Sequence, residues 1–188
     1  IGSGFALLPT WDKRWLPTHL GTALTCNYDY FMATFFTASP LQGWTRLKRM
    51  AEGKNSNVFD SFNRYMQEPG AEKSEVYYDL VTHNVRITRD LNNVQAEQDE
   101  KNNVQAGPPA EVQHKKAAEA LALFQGVLNK LSPAATAAGG NILVRPSFSL
   151  NETQLIYLEK MLIELNSMAK DLRNAAQDHL DRPVAPQH

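Results

Sequence analysis

Five histidines, one cysteine and a scatter of carboxylates are the residues of this 188-residue chain whose chemistry could serve a reaction. His19, His83, His114, His179 and His188 are the candidates for metal or proton-transfer work. A metal held between helices takes two ligands from one helix face, and the His-Glu-x-x-His pattern that supplies them is absent. His114 and His179 extend the periodic faces of two helices that share a connection. At 1.5 Å per residue they stand about 26 and about 43 Å from that connection, too far out of level to share an ion. No metal and no cofactor is expected.

Cys26 is flanked by Thr25, Asn27, Tyr28 and Asp29, with no lysine or arginine near in sequence to draw its thiol toward the thiolate, so it reads as a small buried hydrophobe. One cysteine also excludes an internal disulfide framework and a multi-thiolate zinc site. There is no G-x-S-x-G elbow, no Walker A loop and no kinase loop. Gly2-Ser3-Gly4 lacks the remaining glycine of a dinucleotide fingerprint. The carboxylates Asp99 with Glu100, and Glu72 with Glu75, carry no sign of the desolvation that separates paired acid and base values, and read as solvated. Arg46, Lys48 and Arg49 follow Trp44 as the wet side of a helix; with 19 Lys+Arg against 20 Asp+Glu, no field draws the chain to nucleic acid. No catalytic residue emerges, and an enzyme with a site assembled across helices is the weaker reading.

The elements that would position any site are helices. Leu155, Leu158, Leu162, Leu165, Ala169, Leu172 and Ala176 alternate spacings of three and four, with Met161, Met168 and Ala175 widening the stripe. Ser149 and Glu152 fit a capping box at its start, and Pro183 stops it. Pro108-Pro109 opens a second helix with Ala117, Leu121, Phe124, Leu128 and Leu131 on its seam, ended by Pro133. A third, from about Ser74, carries Tyr77, Leu80, Asn84, Ile87, Leu91 and Val94 and turns polar over Gln95 to Gln105. Leu41 to Met66 reads as two shorter helices broken at Gly53-Lys54-Asn55. Residues 1–40 read as an irregular segment with one short helix over Tyr28, Phe31, Met32, Phe35 and Phe36, because Pro9, Pro17 and Gly21 punctuate it.

The expected fold is therefore all-α: an up-down antiparallel bundle of long helices over 41–188, more than half helical, with short N-terminal helices packed on it as one domain. The connection from 132 to 148 is long for a bundle and holds Ile142, Leu143, Val144 and Phe148, so it is expected to cover one bundle end.

A bundle without a chemical motif points to a non-catalytic protein–protein interaction domain, its partner another protein or itself. The setting favoured is periplasmic or otherwise extracytoplasmic: an adaptor in a bacterial envelope or secretion assembly, or a toxin inhibitor. Because the chain opens on Ile1, sequence upstream is expected. Trp11 and Trp15 beside Lys13 and Arg14 fit the flank of a membrane anchor there; the other reading is a non-native small-residue tail followed by a strand or loop that packs on the body. The alternative is a small-ligand or cofactor carrier walled by Tyr28 to Phe36 with the three tryptophans. Interface candidates are Trp11, Trp15, Val94, Val104, Ile142, Val144 and Phe148, apolar side chains in segments that seam packing does not consume.

Overall fold

A computed structural model describes residues 2–36, 41–68, 75–99, 109–131 and 150–181, and the side chains within them except those of 2–17 and of some helix ends. These residues are 96% helical, with no strand among them. The helices are α1 (Gly2–Phe35), α2 (Leu41–Gln67), α3 (Glu75–Asp99), α4 (Ala110–Leu131) and α5 (Glu152–Asp181).

Three of these helices bury one seam each in the same cadence of four and three. In α1 it is Leu20, Leu24, Asn27, Phe31 and Thr34; in α2 Ala51, Asn55, Val58, Phe62 and Tyr65; in α3 Leu80, Asn84, Ile87, Leu91 and Val94. Each seam contains one asparagine, and that residue explains two departures from expectation. The N-terminal segment is one 34-residue helix rather than irregular chain with a short helix. Its face passes through polar Asn27 and Thr34, which interrupt the apolar stripe, and Pro9 and Pro17 lie within it without ending it. Likewise α2 runs unbroken through Gly53-Lys54-Asn55, because Asn55 is a core residue and not a turn residue.

The three asparagines meet. Asn27 Nδ2 donates to Asn84 Oδ1 at 2.7 Å, Asn84 Nδ2 to Asn55 Oδ1, Asn55 Nδ2 to Thr88 Oγ1, and the Thr88 hydroxyl to Asn27 Oδ1 at 2.8 Å. The four side chains close a ring in which every bond runs the same way round. Its direction is fixed by a fifth bond, Asn27 Nδ2 to the backbone carbonyl of Asn84 at 2.9 Å, which only the nitrogen of that amide can make. Burying amides costs free energy unless each is paired, and a closed ring meets that condition at one relative height of α1, α2 and α3 alone. The ring thus fixes register, as a single buried asparagine does in coiled coils. Above it Tyr30 donates to Asn92 at 2.8 Å and Gln95 to Thr34 at 3.0 Å.

These pairings also give direction. Residues 27, 30 and 34 of α1 meet 84, 92 and 95 of α3, so the two are parallel, and α2 lies antiparallel to both, with His19 against Ser61 and Glu52 against Asn92. Antiparallel to α3 runs α5, which sets Glu164 by His83 and Gln154 by Val94. The exception to alternation is the α4/α5 pair. Gln113, near the start of α4, exchanges two hydrogen bonds with the backbone of Leu150 at 3.0 and 2.9 Å, and Lys116 pairs with Glu159 at 3.0 Å. Both helices start at the same end and run the same way, so Leu131 and Leu150 stand at opposite ends of α4. Phe124 joins α4 to α1 through Tyr28 and Phe31, ring centroids 5.8 and 5.2 Å away.

The start of α5 differs from the expected Ser149/Glu152 box by two residues. Asn151 Oδ1 accepts from the Gln154 amide at 2.8 Å while Gln154 Oε1 accepts from the Asn151 amide at 3.0 Å. Gln154 Nε2 then donates to the Val94 carbonyl at 3.1 Å, tying the cap to α3. The buried stripe of α5 is Gln154, Leu158, Met161, Leu165 and Met168, one residue round from the leucine seam; Leu155, Leu162, Ala169 and Leu172 are its partly buried flank. A helix packed on two neighbours, α3 and α4, centres its buried face between them.

Candidate functional site

The groove between α3 and α5 gathers a set of charged side chains. Arg86, Arg89, Asp90 and Asn93 recur at helical spacing along α3, just off its Asn84–Ile87–Leu91–Val94 seam. Across from them α5 contributes Tyr157, Lys160, Ile163 and Glu164. Together they line an open cleft of about 400 Å³. Leu158, Met161 and Leu165, buried in the core, hold the α5 side at a fixed height.

One end of the cleft is closed by ion pairs. Glu164 bonds His83 Nδ1 and lies 3.7 Å from Arg86 Nη1, while His83 Nε2 lies 3.7 Å from Asp171. Lys160 stands with Nζ 5.2 Å from the centroid of the Tyr157 ring. Asp90 behaves differently. The residue is 7% exposed, and among the described residues its carboxyl makes no hydrogen bond or ion pair. Burial pushes its pKa up to about 6, against the opposing pull of Lys160. A buried carboxyl is ordinarily paired, so an unpaired one in a cleft wall makes Asp90 a candidate functional residue.

A second groove of about 400 Å³, between α2 and α3, is lined by Glu52, Asn55, Ser56, Phe59, Val85, Thr88, Arg89 and Asn92. Asn55 and Thr88 bring one side of the asparagine ring into it, and Arg89 borders both grooves. Ile156 and Ile163 are 50% and 64% exposed, seven residues apart on α5, and Ile163 also borders the α3/α5 cleft.

Of the expected interface residues, Trp11 and Trp15 fall on α1, where the side chains are outside the described residues, as is that of Trp44. Val94 is fully buried, and its carbonyl is engaged by Gln154, so it is a core residue and offers no surface. Val104, Ile142, Val144 and Phe148 lie outside the described residues, as does most of the stretch from Gln95 to Gln105. The aromatics read as a possible ligand wall are consumed by packing: Phe31, Phe35 and Phe124 are fully buried against one another. Burial pushes the Cys26 thiol up, reinforced by Asp29, which matches the unreactive reading of that residue.

His19 is bound to Ser61 at 2.8 Å, and His83 sits in the ion pairs above. Glu111 and His114 have the three-residue spacing of a ligand pair on the first turns of α4, but among the described residues no group of three metal-ligating side chains converges. No described helix is long and apolar enough to cross a membrane.

Sequence reasoning missed the α3/α5 cleft. The available signal was Arg86-x-x-Arg89-Asp90-x-x-Asn93, a polar row beside an apolar seam, indistinguishable without the fold from a solvated helix face. No protein-family model, curated protein or solved structure matches this chain.

Proposed function

We propose that this chain is a non-catalytic helical interaction domain that takes a partner helix along the outer side of α5. The observation that carries the proposal is the pair Ile156 and Ile163. Isoleucines half or more exposed and one heptad apart present a second, unpartnered seam on a helix whose first seam is already buried. A partner helix with apolar residues at the same period would cover both. Lys160, between them in sequence, and Arg86 across the groove favour a partner whose flanking residues are acidic. Our placement of the domain in an extracytoplasmic assembly, as an adaptor or toxin inhibitor, draws on the helical architecture without a catalytic motif, the near-zero net charge, and the cluster of Trp11, Lys13, Arg14 and Trp15.

The test is association of the purified protein, followed by sedimentation and native mass spectrometry, with the double substitution Ile156→Ser and Ile163→Ser. The expected result is a dimer or a retained partner in the parent and a lone monomer in the variant, with melting unchanged within about 2 °C because neither residue is in the core. Association that survives the double substitution, or its absence in the parent, overturns the proposal.

A further inference from the structure

The α3/α5 cleft has an arrangement that neither core packing nor a partner helix on α5 accounts for. Three cations border it, Arg86 and Arg89 from α3 and Lys160 from α5, and of its two carboxylates Glu164 is already engaged by His83 and Arg86. Asp90 is left buried without a hydrogen-bond or ion-pair partner among the described residues. The charges bearing on Asp90 are Lys160 and Glu164 from α5 and Arg86 and Arg89 from its own helix; α1 and α2, packed elsewhere on α3, contribute none. An incoming cation would enter a field that is positive on balance. An incoming anion would meet two guanidinium forks and an ammonium, the set that matches an oxyanion with several acceptor oxygens. One obstacle remains, the charge of Asp90 itself, and a proton removes it while turning the carboxyl into a donor.

We propose that the cleft between α3 and α5 binds the tetrahedral oxyanion of a small phosphate- or sulfate-bearing solute, held by Arg86, Arg89 and Lys160, with Asp90 taking up one proton to donate to it. No bond is made or broken; the step is binding with uptake of a single proton. The proposal goes beyond the partner-helix reading and does not rest on it, since Ile156 and Ile163 are not its ligands.

Sulfate is the probe of choice because it stays a dianion over the range where Asp90 titrates, so any pH dependence belongs to the protein. With Asp90 at about 6, its protonated fraction falls about 25-fold between pH 5.5 and 7.5, and sulfate affinity measured by calorimetry on the full chain should fall by about that factor. Asp90→Asn, neutral at every pH and still a donor, should keep the acid-pH affinity and lose the pH dependence. Arg89→Ala and Lys160→Ala should each weaken binding about tenfold or more at both pH values, with unchanged melting.

Glycerol phosphate in solution and vesicles of phosphatidylcholine with phosphatidic acid separate a free solute from a lipid headgroup; capture by vesicles without a response to either free anion overturns the proposal. So does the absence of saturable sulfate binding at pH 5.5, or a pH dependence that survives Asp90→Asn. Carboxyl carbon NMR of the free protein supplies an independent readout. If Asp90 titrates below about 4, Lys160 has closed on it in solution and there is no open site.

Discussion

Replacing Thr88 by valine removes one hydroxyl from the asparagine ring and almost no volume, so the energetic response reports the ring and not a cavity. Thr88 is 4% exposed and its hydroxyl both donates to Asn27 Oδ1 and accepts from Asn55 Nδ2. Valine orphans both groups. An unpaired buried polar group costs about 1 to 3 kcal/mol, which sums to about 2 to 6 kcal/mol for two. Asn27 is fully buried and stands near the upper figure, whereas Asn55 borders the α2/α3 groove, where water offsets part of its loss. The expected cost is therefore about 3 kcal/mol, read from urea unfolding followed by far-UV circular dichroism, with the slope of the transition unchanged. Asn27→Ala in the Thr88→Val background removes one of the orphans in advance, so the double variant should lose at least about 1 kcal/mol less than the sum of the singles. A cost below about 1 kcal/mol for Thr88→Val, together with additive behaviour in that cycle, would show that the ring is not closed and that register comes from the apolar seams.

Leu158→Ala should cost about 2 to 5 kcal/mol and Leu162→Ala visibly less, because the first is fully buried and the second lies on the flank of the stripe; equal losses in chemical denaturation would place the α5 register wrongly. Asp90 has a folded-state value of about 6 against about 3.9 unfolded, so its contribution is greatest below pH 4 and is lost as pH rises through 6. Asp90→Asn should thus match the parent at about pH 4 and exceed it by about 2 to 3 kcal/mol at about pH 7; a gap that does not widen with pH refutes the burial argument. Gly53 and Gly126 sit in helix interiors with open space where a Cβ would lie, so alanine at each should raise stability by about 0.5 to 1 kcal/mol in thermal melts, and a loss at either would mean a hidden contact there.

What the sequence determined by itself is the helical class and the courses of α3, α4 and α5. The seam from Leu80 to Val94, Pro109 before α4 and the leucine repeat of α5 are local signals, and each lies in a helix as its spacing dictates, although the packing of α5 on two neighbours turns its buried face one residue round from the repeat. The capping signal was legible too, but Ser149/Glu152 and Asn151/Gln154 compete two residues apart, and Gln154 wins because it also reaches the Val94 carbonyl on α3. The tertiary structure decided what the polar residues within the seams mean. Asn27 and Asn55 read as interruptions because a buried amide is unfavourable alone. They become core residues when Asn84 and Thr88, 29 to 61 residues away in sequence, complete their hydrogen bonds. Direction was settled in the same way, by Gln113 pairing with Leu150 and setting α4 and α5 side by side in one sense. Asp90 is the remaining case: a carboxylate one step off an apolar seam looks solvated in one dimension. Only the packing of α5 against α3 withdraws the water and leaves its carboxyl facing two arginines and a lysine.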